Sequence, residues 1–297
     1  MTALGVILIL FFIFVISSCK FAHFAVTVKR QSFEYALNWQ KEHYDTSFYD
    51  PLEKVDYKIN SYDGYVLPVQ FLKNPTPTDK YIIISHGHTD NHYGMLKYAK
   101  MYLDFGFNVI IYDLRAHGEN KKTACTFGIR EGKDLDVLIK DTRQRYPDLK
   151  VLGLHGESLG GATTITVLKY SPEVDFVVDD CGFADIVNVM KGALKARHFP
   201  AFMVYPASVC ARFMYGYSFT KMRPIDSLKD NKVPILFIHG ADDTYILPEN
   251  SERMSRETKG YCEIHLIPGA EHAASILTAP EDYRKYVEGF LKEVLNA

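Results

Sequence analysis

The chain has 297 residues, 47% of them hydrophobic and 24% charged, with a formal net charge of −2. That is enough apolar chain for one large core, and a near-balance of acids and bases leaves no basic field to hold nucleic acid. Five scattered cysteines (Cys19, Cys125, Cys181, Cys210, Cys262) show no C-x-x-C or metal-ligand spacing, so neither a disulfide framework nor a zinc site is expected.

Ala3 to Cys19 carries no charge, and Val6 to Ile16 is unbroken Val, Ile, Leu and Phe. As a helix this stretch spans roughly 25 Å, and Phe21 to Val28 can extend it toward the ~30 Å of a hydrocarbon core. The absence of Lys or Arg ahead of the run counts against a cleaved signal peptide. It also counts against acylation of Cys19, although Ile16-Ser17-Ser18-Cys19 resembles a lipoprotein cleavage box. Lys20, Lys29 and Arg30 follow, so the positive-inside rule keeps the following domain cytoplasmic. An exported, anchored protein is the alternative, so the expectation is membrane attachment through residues 1–30 with the side of the membrane left open.

Gln31 to Asp50, rich in Tyr and Phe, reads as a helical or irregular connector, and residues 31–54 form one region. From residue 55 to 297 the pattern changes. Val55–Ile59 and Val66–Leu72 alternate around Asp63-Gly64, a β-hairpin signal. Short apolar runs then read as strands: Tyr81–Ser85, Asn108–Tyr112, Val151–Leu154, Phe176–Val178, Ile235–Ile238 and Glu263–Ile267. Helical patterns separate them at Tyr93–Phe105, Gly132–Tyr146, Gly161–Tyr170, Glu249–Thr258 and Pro280–Leu295. Strands apolar on both faces, alternating with helices, predict a mostly parallel, doubly wound α/β sheet with right-handed crossovers. Residues 186–231 interrupt the alternation with a Met-, Phe- and Tyr-rich helical stretch, expected as a small lid over the carboxyl ends of the strands, where such sheets bind ligands.

Gly156-Glu157-Ser158-Leu159-Gly160 lies between a predicted strand and a predicted helix. A serine on so tight a turn takes strained backbone angles and needs small neighbours, and the turn lifts its hydroxyl above the sheet. A hydroxyl needs a base, and His272 follows the last strand in Pro268-Gly269-Ala270-Glu271-His272, at the same edge. A carboxylate to orient the imidazole is available in His239-Gly240-Ala241-Asp242-Asp243, with Asp243 chosen and Asp242 the alternate; Asp179 and Asp180 end the preceding strand as more remote choices. Two backbone N–H groups are expected to receive an oxyanion, that of Leu159 and that of His88 in His86-Gly87-His88-Thr89-Asp90. His86, His88 and His92 stand in a loop ahead of the predicted helix, with no histidine or carboxylate pair at i, i+4 on a helix, so no metal is assigned to them. Asp113 to Glu119 reads as a structural loop of buried polar groups.

Taken in order, Ser85–Asn91 (S-H-G-H-T-D-N), Asp113–Gly118 (D-L-R-A-H-G), Gly156–Ala162 (G-E-S-L-G-G-A), Ile238–Asp243 (I-H-G-A-D-D) and Pro268–His272 (P-G-A-E-H) resemble the α/β-hydrolase superfamily. The nearest branch is that of bacterial serine aminopeptidase and monoacylglycerol-lipase-like enzymes, and the likeness covers about residues 55–295. It implies the α/β-hydrolase fold and a Ser158, Asp243, His272 triad, the acid occupying the second Asp of its loop. It implies hydrolysis through an acyl-enzyme without cofactor or metal. The aromatic and Met-rich lid (Phe199, Phe202, Met203, Phe213, Met214) points to an apolar acyl or aryl ester, lipid-derived esters included. The alternatives are a peptidase or amidase on short peptides and a silent, membrane-tethered binding protein.

Overall fold

The alternating runs pair into one eight-stranded sheet in the computed structural model, which describes residues 2–295. Strands β1 (Lys54–Asn60) and β2 (Val66–Leu72) form the hairpin, in register from Lys54↔Leu72 to Asn60↔Val66. β3 (Lys80–Ser85), β4 (Asn108–Tyr112), β5 (Val151–Glu157), β6 (Phe176–Asp180), β7 (Ile235–Gly240) and β8 (Cys262–Ile267) follow in parallel. The order is β1-β2-β4-β3-β5-β6-β7-β8, with β2 antiparallel to β4. Successive residues face opposite sides, so Ile83 enters one apolar layer and Ile82 and Ile84 the other. Both layers are roofed by helices, which is why these strands read as continuous apolar runs.

Helices α1 (Ala3–Val26) and α2 (Phe33–His43) precede the sheet. α3 (Leu96–Asp104), α4 (Ile129–Arg145), α5 (Leu159–Val167), α8 (Glu249–Glu257), α9 (Ser275–Thr278) and α10 (Pro280–Leu295) lie between or after its strands. α6 (Ile186–Ala196) and α7 (Val204–Tyr215) fill the interval between β6 and β7, a helical insertion as expected. β5 and β6 outrun the predicted apolar segments because His155, Glu157, Asp179 and Asp180 at their carboxyl ends are buried polar residues still paired in the ladder, Gly156 with Asp179 and Glu157 with Asp180.

α1 is long and apolar enough to cross a membrane. Its only buried residues, Ser18, Ala22 and Val26, recur every fourth position and make one stripe that packs on α7. There the Cys19 thiol meets Cys210 Sγ at 2.8 Å and His23 Nδ1 lies 2.6 Å from the Tyr215 hydroxyl. The chain from the end of α1 to the first residue of the expected connector is fastened down. The carbonyl of Val26 accepts from Cys125 N–H (2.9 Å), and Gln31 N–H donates to Thr89 O (2.8 Å). Arg30 Nη1 donates to Gly118 O (3.1 Å) and Asn120 O (2.6 Å).

Candidate active site

β5 ends at Glu157, α5 begins at Leu159, and Ser158 alone makes the turn with φ +55° and ψ −111°. A residue with a β-carbon in that region stores about 1–3 kcal/mol of strain, which the surroundings must hold. Ser158 N–H donates to Asp180 O at 2.8 Å and Ser158 O accepts from Ala162 N–H at 2.9 Å, so both neighbours of the elbow pin it. The flanking glycines are steric requirements. A β-carbon on Gly156 would stand 2.2 Å from Gly160 O, and one on Gly160 would stand 2.0 Å from Ser85 O. Without these side chains the helix start packs directly on the end of β3.

Ser158 Oγ lies 2.9 Å from His272 Nε2, and His272 Nδ1 lies 2.6 Å from Asp243 Oδ2. A carboxylate only accepts, so Nδ1 carries the imidazole proton and Nε2 is a bare acceptor for the serine hydroxyl. Asp243 is fully buried and accepts four donors. Tyr245 N–H (2.9 Å) and Ile246 N–H (2.8 Å) reach Oδ1, and His239 Nε2 (3.2 Å) joins His272 at Oδ2. Burial raises the pKa of this carboxyl, but hydrogen bonds from His239 and His272 outweigh it and hold Asp243 well below the usual carboxylate range. Asp242 is exposed at the surface of the same loop.

His239 was not singled out by its sequence. Its Nε2 faces two acceptors, Asp243 Oδ2 and Ile246 O (2.7 Å), so Nε2 is protonated and Nδ1 accepts from Ser251 Oγ at 2.7 Å. It stands four residues before Asp243, and that spacing was the available signal. Among the described residues neither Asp179 nor Asp180 is hydrogen-bonded to His272, whose Nδ1 partner is Asp243. Asp180 Oδ2 lies 2.8 Å from the Tyr98 hydroxyl, within a buried network behind the elbow. In that network the Lys97 ammonium sits 2.5 Å from Glu157 Oε2, both side chains nearly inaccessible, and the Tyr98 hydroxyl donates to the same oxygen at 2.7 Å. Burial disfavours the ammonium of Lys97, but the Glu157 carboxylate overrides it and keeps the group charged.

The loop after β3 passes directly beside the elbow: a β-carbon on Gly87 would lie 3.7 Å from Ser158 Cβ. Neither His88 N–H nor Leu159 N–H has a hydrogen-bond partner among the described residues. His86 ties this loop to the next. Its Nε2 accepts from Leu114 N–H (2.9 Å), so its Nδ1 donates to Gly87 O (2.7 Å). Burial, aided by His86, pulls the His88 imidazole down to about 4 and keeps it neutral. Arg115 bridges Asp63 and Asp134, each contacted at 2.9 Å or closer, and Asp113 Oδ1 lies 2.9 Å from His92 Nδ1, so the loop from Asp113 to Glu119 is held by buried polar bonds as expected.

A cleft of about 250 Å³ opens beside His272, with Tyr35 and Trp39 of α2 on one side and Asp90, Glu157 and Leu277 around it. Burial and the nearby Glu157 charge push the Asp90 carboxyl up to about 7. The donor atoms of Cys181, Asp243 and His272 lie within 4.8 Å of one another. Asp243 and His272 already spend their facing atoms on each other, and burial raises the Cys181 thiol well above its ordinary pKa, so this group suits a metal poorly.

A serine elbow at the carboxyl edge of this sheet belongs to the serine hydrolases of the α/β-hydrolase superfamily. Residues 135–297 match the model of the prolyl oligopeptidase family, peptidase S9. The uncharacterized protein YqkD of Bacillus subtilis (strain 168) is 30% identical over 277 residues, covering 91% of this chain and 90% of YqkD. YfhR of Escherichia coli (strain K12) is 26% identical over 255 residues, covering 83% and 84%. Among solved structures, the Pyrococcus furiosus esterase Pf2001 superposes with a TM-score of 0.70 at 24% identity, over 91% of this chain and 98% of the esterase. A Pyrococcus horikoshii acylaminoacyl peptidase superposes at 0.61 with 15% identity, over 83% of this chain and 42% of the peptidase. The chain belongs to the prolyl oligopeptidase family.

Proposed function

We propose that the chain is a membrane-tethered serine esterase. The reading rests above all on the unbroken relay Ser158 Oγ, His272 Nε2, His272 Nδ1, Asp243 Oδ2, with steps of 2.9 and 2.6 Å. In it, Nε2 of His272 takes the serine proton as Oγ attacks the ester carbonyl, and Asp243 stabilises the imidazolium. The N–H groups of His88 and Leu159 receive the oxyanion. The imidazolium then protonates the leaving alcohol, and water, activated by the same imidazole, releases the acid. α1 supplies the tether. Support for esters over amides comes from the esterase among the structural neighbours. The peptidase reading draws on the family match and on the acylaminoacyl peptidase. The test uses full-length protein in detergent, with a fluorophosphonate probe, a p-nitrophenyl ester chain-length series and aminoacyl-anilides. Labelling lost in Ser158→Ala, with esters cleaved faster than anilides, is the expected result; anilides cleaved in preference to esters would favour the peptidase, and an unlabelled intact protein a binding role.

A further inference from the structure

The insertion between β6 and β7 carries an apolar face that the hydrolytic chemistry does not use. Phe199 and Phe202 precede α7, and Tyr205, Val209 and Phe213 follow along it at four-residue spacing; all are exposed, Phe213 to 85%. A soluble surface rarely displays so many large apolar side chains together.

Three observations say what covers them. The first is position. Cys19 faces Cys210 and His23 faces Tyr215, so α1 and α7 run in the same direction, and the end of α7 that carries Phe199 and Phe202 points the way the free end of α1 points. The second is length. Only the residues before Ser18 stand clear of the domain. Those fifteen residues, Ala3 to Ser17, rise about 22 Å at 1.5 Å each, short of a ~30 Å hydrocarbon core. A spanning α1 must therefore sink its next turns as well, and those turns are the ones packed on α7. The third is charge. Residues 1–33 and 186–222 together hold eight of the 34 Lys and Arg residues and none of the 36 Asp and Glu. An apolar face whose own two segments carry cations and no acids fits an anionic lipid surface.

The same edge carries the mouth of the candidate site. The Tyr245 ring lies 5.1 Å from that of His272, and Tyr245, Leu247 and Leu277 are exposed near it. The charge of Arg197, at the C-terminal end of α6, reaches Tyr245.

We propose that the insertion docks into the lipid bilayer: Phe199, Phe202 and the exposed side of α7 enter the leaflet beside α1 and hold the site's mouth at the interface, where it takes long-chain acyl esters from the membrane. This rests on the esterase reading for its substrate, and on α1 alone for its geometry.

The experiment reconstitutes the full-length protein in vesicles of phosphatidylcholine and phosphatidylglycerol with brominated acyl chains. Phe199→Trp, Phe213→Trp and, on the β-hairpin, Tyr62→Trp are each compared with wild type, whose Trp39 gives the background. Quenching of the tryptophans at 199 and 213, with the one at 62 spared, is expected. Unquenched emission at 199 and 213, or protein that does not float with the vesicles, overturns the proposal. Fluorophosphonate labelling of Ser158 in the same vesicles reports the hydrolytic reading separately, since labelled but unquenched protein fails docking alone and quenched but unlabelled protein fails the chemistry alone. A Phe199→Asp, Phe213→Asp variant should lose roughly tenfold or more on a vesicle-embedded long-chain ester, while hydrolysis of soluble p-nitrophenyl acetate stays within about twofold. Absence of that selective loss also overturns it.

Discussion

Replacing Asp243 with asparagine tests the relay in a way the local geometry makes specific. Tyr245 and Ile246 both donate backbone N–H groups to Oδ1, at 2.9 and 2.8 Å. The amide carbonyl of an asparagine must therefore take that position, which turns its NH2 toward His272 Nδ1. A donor there forces the opposite tautomer: Nδ1 becomes the acceptor and Nε2 carries the proton. Nε2 then points a hydrogen at Ser158 Oγ and cannot accept its proton. Loss of the base and of the carboxylate that stabilises the imidazolium should together lower kcat/KM about 10⁴-fold, some 5.5 kcal/mol of barrier. The assay is hydrolysis of a p-nitrophenyl ester by Asp243→Asn and Asp242→Asn, with the rate of fluorophosphonate labelling and the melting temperature measured alongside. Asp242 is exposed, so its variant should stay within about twofold of wild type. Activity of Asp243→Asn within tenfold of wild type, or collapse of Asp242→Asn at unchanged melting temperature, would refute the assignment.

Three further outcomes are expected. Lys97→Met leaves the Glu157 carboxylate buried without its ammonium and should cost about 3–5 kcal/mol by chemical denaturation, most of it recovered in Lys97→Met, Glu157→Gln; simple additivity of the two changes would refute the coupling. Gly160→Ala drives a β-carbon to 2.0 Å from Ser85 O and should cost about 3 kcal/mol with loss of labelling at Ser158, whereas Gly192→Ala, whose β-carbon meets nothing, should melt within a few degrees of wild type. Asp90 ionises at about 7 when folded and near 4 when unfolded, so across that window the unfolded chain releases its proton first and stability falls as pH rises. The slope is at most about 1.4 kcal/mol per pH unit, reduced by partial exposure, so Asp90→Asn should gain on wild type from pH 5 to 7.5; parallel melting curves over that range would contradict the burial of the charge.

The sheet was legible because β3, β4 and β7 are buried on both faces and contain little but apolar residues. Pro280–Leu295 was legible as a helix from its apolar periodicity. The strand ends at His155–Glu157 and Asp179–Asp180 were not, since their burial depends on partners far away in sequence: Tyr98, Lys97 and the start of α5. Ser158 and His272 could be chosen because a strand-to-helix turn and a loop after the last strand must meet at one edge. The fastening of residues 26–31 could not be foreseen. It depends on backbone bonds to Thr89 and Cys125, and backbone groups carry no sequence signature.

Those fastenings make the segment from Val26 to Gln31 a strut rather than a leash. It is bonded to the loop containing His88 at one end, and to the stretch from Gly118 to Cys125 along its length. The catalytic domain therefore cannot swivel freely about its first helix. A soluble version cut after Arg30 would lose three of these four ties and leave α2, a wall of the cleft beside His272, held by Gln31, by Gln40 Oε1 accepting from Lys97 N–H and by Phe33 packed on His92 and Tyr93.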